Sequence, residues 1–233
     1  MLKSINKSFV KVISFDATNT LFKLKVSPGF IYSSVGKDFG LSLNAKDIDL
    51  RFRDHFNALE KELPCYGYNK CGPKRWWNEI VYRCCNLEIN ETSKEFAGTL
   101  YNELSTSKYY TLINDKTPEI LKYLKDNGYK LVIVSNSDSR LRSVLPQLLG
   151  DNFFDDYFIS SELGISKPDH GVFSMLCQRL SCSPRDILHI GDSLVKDYQC
   201  IIDFGGQGLL LNNSNDQISI NSLNNLYYIN KSK

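Results

Sequence analysis

Three stretches of this chain are apolar with no more than one polar residue at a time, and each stops on a short polar cluster. They are FVKVISFD (9–16), KLVIVSNS (130–137) and DILHIGDS (186–193). A strand with one wet face alternates apolar and polar residues. A run that does not alternate has both faces covered, as in a parallel sheet sandwiched between helices. YFIS (157–160) reads as a fourth strand and GQGLLLN (206–212) as a fifth. Helical patterns lie between them. TPEILKYLKDNG (117–128) puts Ile120, Leu121 and Leu124 on one face, with Pro118 near its start and Gly128 as its C-cap. SRLRSVLPQLLG (139–150) and DHGVFSMLCQRLS (169–181) also read as helices, the first expected to be disturbed at Pro146. Strands alternating with helices imply right-handed crossovers, hence an α/β fold with a doubly wound parallel sheet.

The interval 23–109 breaks this rhythm. It offers no buried-strand pattern, only helical ones: DIDLRFRDHFNALEKEL, PKRWWNEIVYRCCNL and TSKEFAGTLYNEL. Such a block is too long for a simple crossover. It is expected to form a helical domain (23–109) inserted into an α/β core made of residues 1–22 and 110–233, with joints near Phe22–Pro28 and Lys108–Thr111. Residues 212–233 are rich in Asn and Ser, with a weak apolar set (Ile218, Ile220, Leu223, Leu226, Tyr228), and read as an edge element and a tail.

Composition narrows the partners. The net charge of +2 on 233 residues gives no electrostatic drive toward nucleic acid or a membrane surface. No run approaches the roughly 18 apolar residues of a membrane span. The opening MLKSINKSFVK lacks the apolar segment of a secretory signal, so the seven cysteines are expected as reduced thiols in a cytoplasmic protein. Vicinal Cys84 and Cys85 read as packing residues.

In a doubly wound sheet, ligands bind beyond the carboxyl ends of the strands. At those ends stand Asp16, then Ser135 and Asn136, then Lys167 after the strand at 157–160, then Asp192 and Asp197. Taken singly, each has an ordinary explanation: Asp16 and Ser135 as caps, Lys167 and Asp197 as solvated charges. Together they bring carboxylates, a hydroxyl and an ammonium to one crevice. Trp76 and Trp77 read as core or interface residues. His55, His170 and His189 carry no assigned chemistry, and Lys74 and Arg75 are candidates for an anionic substrate or simply surface charge.

The set Asp16-x-Thr18-x-Thr20, Ser135-Asn136, Lys167-Pro168-Asp169 and Gly191-Asp192-x-x-x-x-Asp197 resembles the four motifs of the haloacid dehalogenase (HAD) superfamily of hydrolases. The helical interval after the first motif resembles its α-helical cap. The resemblance implies a small phosphorylated or otherwise anionic substrate and Asp16 as the catalytic nucleophile. Lys167 and Ser135 would be catalytic and, with Asn136, would bind phosphate. Asp16, the Thr18 carbonyl, Asp192 and Asp197 would hold Mg²⁺, Asp197 either through water or by anchoring Lys167. Thr20 would tie down the loop after the first strand.

One position departs from the pattern. Phosphatases of the superfamily carry a second aspartate two residues after the nucleophile, as general acid and base. Here that residue is Thr18, which cannot hold a proton near neutral pH as a carboxyl can. Losing such help costs about 10²–10⁴ in rate, or roughly 3–5 kcal/mol of barrier. Three readings follow: a slow Mg²⁺-dependent phosphatase or one for good leaving groups, a dehalogenase- or phosphonatase-like hydrolase, or a phosphate- and Mg²⁺-binding pseudoenzyme that recognises a protein.

Overall fold

In the computed structural model, which describes residues 5–211 and 218–229, eight strands form two sheets. In chain order the strands are β1 (Val12–Phe15), β2 (Phe22–Leu24), β3 (Tyr110–Leu112), β4 (Lys130–Ser135), β5 (Asp156–Ile159), β6 (Ile187–Gly191), β7 (Gln207–Leu211) and β8 (Ser219–Ile220). Six of them make a wholly parallel sheet in the order β5-β4-β1-β6-β7-β8. The order reverses at β1, so β1 lies at the switch point where such sheets open a crevice.

The unbroken apolar runs have the expected cause. Ile13, Phe15, Leu131, Ile133, Leu188 and Ile190 pack into a cluster on one face of the sheet. Val12, Val132, Val134 and Ile187 pack into a second cluster on the other. The period of two is present, but both faces are apolar. Helices α6 (Thr117–Asp126) and α7 (Leu141–Leu149) cover the first face, and α9 (Gly171–Leu180) and α10 (Cys200–Phe204) the second. Helix α7 runs through Pro146. The one backbone bond that proline removes is outweighed by burial of Leu141, Val144, Leu145 and Leu149. Gly128 sits at φ +79° just past α6, where only a residue without Cβ is unstrained.

Between β2 and β3 stand α1 (Pro28–Gly36), α2 (Ala45–Glu62), α3 (Pro64–Gly67), α4 (Gly72–Cys85) and α5 (Glu91–Glu103). They bury a hydrophobic cluster of their own around Trp76, with Tyr32, Ile80, Cys84 and Phe96. Side chains of Ser27, Asn44 and Asn90 cap the first turns of α1, α2 and α5. Both vicinal cysteines are buried in this cluster, as packing residues. Sequence reading finds no strand at the joints, yet Phe22–Leu24 and Tyr110–Leu112 pair there as a two-stranded antiparallel ribbon. Three-residue strands carry too little pattern to be seen in advance.

The remaining differences are at element ends. Phe9 is exposed and the first strand begins only at Val12. The third strand of the parallel sheet stops at Ile159, and Ser160 opens the short helix α8 (Ser160–Leu163). Ile220 forms β8 at the sheet edge, while Leu223 and Leu226 are buried in a helical turn beneath it. The rest of the predicted edge element and tail, 212–217 and 230–233, lies outside the described residues. Among the described residues no helix is long and apolar enough to cross a membrane.

Candidate active site

The register brings the site together. Phe15 pairs with Ile133 on β4 and with Ile190 on β6, so the residues that follow these three strands emerge side by side. Asp16 donates its backbone N–H to the Ile190 carbonyl (2.9 Å), which fixes where its side chain leaves the sheet. One carboxylate oxygen, Oδ1, accepts from Ser135 Oγ and from Lys167 Nζ, both at 3.0 Å. The other, Oδ2, has no hydrogen-bond partner among the described residues.

Lys167 is the hub. It is 3% exposed, and its ammonium has three acceptors for its three protons: Asp16 Oδ1, the Val134 carbonyl (2.7 Å) and Asp197 Oδ1 (2.5 Å). Burial opposes its charge, but the two carboxylates outweigh burial and its pKa is raised, so it stays protonated. Asp197 is also buried. There too burial is outweighed by the ammonium, and the carboxyl is held well below the usual range. Its second oxygen accepts the Ser193 N–H (2.9 Å). A Cβ at Gly191 would meet the Asp197 carboxylate at about 2.2 Å, so only glycine lets Asp197 fold back onto the strand end.

Other predicted residues are placed differently from expectation. Asn136 clamps the backbone of Lys167, accepting its N–H at Oδ1 (2.8 Å) and donating from Nδ2 to its carbonyl (2.7 Å). Thr20 is fully buried, and its hydroxyl has no hydrogen-bond partner among the described residues, so the loop is not tied by that group. Lys74 and Arg75 are exposed and absent from the cavity walls.

Solvent reaches Asp192, yet partial burial of its carboxyl and the nearby charges of Asp16 and Asp197 push it up to about 6. One ligand atom from each of Asp16, Asp192 and Asp197 lies within 4.8 Å of the others. Three carboxylates against the single ammonium of Lys167 leave two negative charges uncompensated. That is the deficit a divalent cation would fill, and the open oxygens for it are those of Asp16 and Asp192. Both oxygens of Asp197 are already engaged, so of its two predicted roles the one visible is the anchoring of Lys167.

His189 is the residue that sequence reading misses. It is 1% exposed, with Nε2 3.2 Å from Asp197 Oδ1 and 3.4 Å from Lys167 Nζ, while Nδ1 lies 2.8 Å from Ser14 Oγ. Burial first, and the Lys167 charge second, hold it below its usual pKa and therefore neutral. Those partners assign the tautomer: Nε2–H donates to Asp197, and Nδ1 accepts from Ser14. A signal existed. Ser14 and His189 each interrupt an apolar run, and they are register partners on β1 and β6.

The helical segment reaches the same place. Tyr66 donates its hydroxyl to the Asn136 carbonyl (3.0 Å), and Trp77 Nε1 donates to Asp138 Oδ2 (2.7 Å). Tyr66 stands in a turn where Cys65, Tyr66 and Gly67 all have positive φ, a strained arrangement for two side-chain-bearing residues. Asp138 is gripped by Arg140, whose guanidinium also lies 4.7 Å over the Trp77 ring. A cavity of about 450 Å³ opens between these groups, with Thr18 and Asn136 in its wall.

A parallel α/β sheet that gathers a lysine-held aspartate and an acidic cluster at its switch point defines a class. The chain belongs to the haloacid dehalogenase-like hydrolase family, whose model matches residues 10–205. Among individual proteins it is similar to haloacid dehalogenase-like hydrolase domain-containing protein 3 of Xenopus laevis, 27% identical over 193 residues, covering 81% of this chain and 79% of the relative. Its fold resembles a magnesium-bound HAD-hydrolase from Bacillus subtilis (TM-score 0.70, 21% identity, 94% of this chain and 98% of that one). It also resembles 2-haloacid dehalogenase from Pseudomonas syringae (TM-score 0.66, 16% identity, 94% and 97%).

Proposed function

We propose that this chain is a Mg²⁺-dependent hydrolase that uses Asp16 as nucleophile on a small phosphorylated substrate, with turnover held low by threonine at position 18. The observation that carries it is the charge imbalance at the strand ends, three carboxylates to one saturated lysine. Asp16, Asp192 and the Thr18 carbonyl would hold Mg²⁺, a hard cation suited to oxygen ligands, which would supply the positive charge a phosphate needs to approach these carboxylates. An oxygen of Asp16 attacks phosphorus and the leaving group departs, forming an aspartyl ester that water then hydrolyses. Lys167 and Ser135 hold Asp16 in position through the same oxygen, Oδ1, while Asn136 acts as a positioning residue for Lys167. Residues 23–109 serve as a cap over the core formed by 1–22 and 110–233, excluding water and choosing the substrate.

A second reading is favoured by one observation. Asp138 is the one carboxylate in the cavity wall among the described residues, and it is clamped by Arg140 and Trp77, with no freedom to replace the missing acid. On that ground the chain would bind Mg²⁺ and phosphate without turnover. Assays of acetyl phosphate and p-nitrophenyl phosphate with Mg²⁺ separate the two. Activity in wild type that disappears in Asp16→Asn supports the hydrolase. Equal silence of both proteins, with Mg²⁺ binding lost in Asp192→Asn, supports the binding protein.

A further inference from the structure

The cavity beside Asp16 is walled by rings. Phe52, Tyr66 and Trp77 lie nearly parallel: the Phe52 and Trp77 planes differ by 26° and those of Tyr66 and Trp77 by 29°, with centroids 6.5 and 5.9 Å apart. Surfaces of this kind favour a flat π-system, by offset or edge contact. Several polar groups of the wall are already engaged. Asp138 and Arg140 hold each other, and Tyr66 donates to Asn136. Tyr32 also lines the wall; its residue is 2% exposed and its hydroxyl has no hydrogen-bond partner among the described residues. Burial raises it far above the usual range, so it remains a neutral O–H. The hydroxyl is therefore open to whatever occupies the cavity and can hydrogen-bond to it.

An independent observation concerns the leaving group. With threonine at position 18 and the cavity's one carboxylate clamped, no free carboxylic acid among the described residues of the wall stands ready to protonate a departing oxygen. An alkoxide resists leaving unprotonated, its acid being comparable to water at about 15.7. A phenoxide leaves far more readily, its acid titrating near 10 as tyrosine does (about 10).

We infer that the substrate is an aryl phosphomonoester, its ring seated in the aromatic cavity against Phe52, Tyr66 and Trp77 and a polar ring substituent meeting the Tyr32 hydroxyl. The inference rests on the hydrolase reading above. In the first step a bond forms between an Asp16 oxygen and phosphorus while the P–O(aryl) bond breaks. The electron pair leaves on the aryloxide, which takes a proton from solvent. Water then attacks phosphorus, the P–O(Asp16) bond breaks, and inorganic phosphate and the free carboxylate result.

The test uses the full chain with Mg²⁺ and compares kcat/KM for phenyl and 2-naphthyl phosphates with cyclohexyl phosphate. We expect the aryl esters to lead by about 10²-fold or more, the share a general acid supplies elsewhere. Binding is read separately, without phosphate or metal, by quenching of tryptophan fluorescence. There 2-naphthol should bind and cyclohexanol should not. Phe52→Leu should weaken that binding about fivefold to tenfold, in line with an aromatic contact. Tyr32→Phe should abolish the advantage of 2,6-dihydroxynaphthalene over 2-naphthol. Melting temperatures near that of wild type establish that both variants fold.

Aryl and cyclohexyl esters turned over within a few fold of each other, or 2-naphthol that does not bind, overturn the inference. If acetyl phosphate is then still cleaved by wild type and not by Asp16→Asn, the hydrolase reading stands alone. Naphthol binding with no turnover of any ester overturns the hydrolase reading and the aryl ester with it. A phosphotyrosine peptide set against free phenyl phosphate identifies whether the ring comes from a protein or a small molecule, and either preference supports the aromatic seat.

Discussion

Lys167 and Thr18 mark the two extremes of what one residue does at this site. Lys167 holds two carboxylates together inside the protein, and its removal leaves them buried without a counter-charge. Breaking a buried ion pair from one side costs roughly 3–5 kcal/mol, so Lys167→Met should lower the urea midpoint markedly at unchanged slope. Mg²⁺ should restore part of that stability, which a titration of the midpoint against metal would reveal. Thr18 is exposed and lines the cavity, so a carboxylate there meets no packing obstacle. Thr18→Asp should raise kcat by about 10²-fold or more on alkyl phosphates. No gain in steady-state rates would mean that some other part of the site is impaired. Asp16, Lys167 and the acidic cluster were legible from residue types at strand ends. The supporting pair, Ser14 and His189, was not, because a lone polar residue in an apolar run is recognised only once its neighbour across the sheet is known.

At the scale of elements, the end of β6 and the turn at 63–67 decide the geometry. Gly191 closes β6 with the Asp197 side chain folded against its Cα. Gly191→Ala inserts a methyl where the carboxylate now lies, an overpacking that costs about 1–3 kcal/mol. More specifically, it should displace Asp197 and weaken Mg²⁺ binding and turnover together, as isothermal titration and steady-state rates would show. Normal metal affinity in a folded Gly191→Ala protein would refute the account of that glycine. The helices were legible as periodicity and the parallel strands as unbroken apolar runs. The β2–β3 ribbon and the left-handed turn carrying Tyr66 were not, since short strands and strained backbone leave little mark on composition.

At the scale of the whole molecule, the helical block and the sheet meet across Trp77, Asp138 and Arg140, with Tyr66 on Asn136 and Ser107 on Gln147 as further links. Burial alone would raise the Asp138 carboxyl. The Arg140 charge and the hydrogen bonds from Arg140 and Trp77 outweigh it and hold the carboxyl below its usual range. A depressed carboxyl contributes stability that is complete above its unfolded value, about 3.9, and is lost as pH falls through the folded value. Asp138→Asn should therefore be less stable than wild type at neutral pH by on the order of 3 kcal/mol. The gap should narrow as pH drops below about 4. Urea unfolding at several pH values checks this, and a gap independent of pH would show that the pair does not titrate in this range.

By itself the sequence determined that this chain folds as a doubly wound parallel sheet, where the long helical interruption falls, and which charged groups crowd the strand ends. Those properties follow from local patterns of burial, which are one-dimensional. Only the tertiary structure decided which oxygen of Asp16 is free, that Asn136 serves Lys167, that Asp197 is fully engaged, and that the helical block brings aromatic rings and the Tyr32 hydroxyl into one cavity wall with Thr18. Hydrogen-bond saturation and ring orientation arise between segments more than a hundred residues apart, such as Asp16 and Lys167 or Ser14 and His189. No local pattern encodes them, because each depends on the register in which distant strands and helices finally pack.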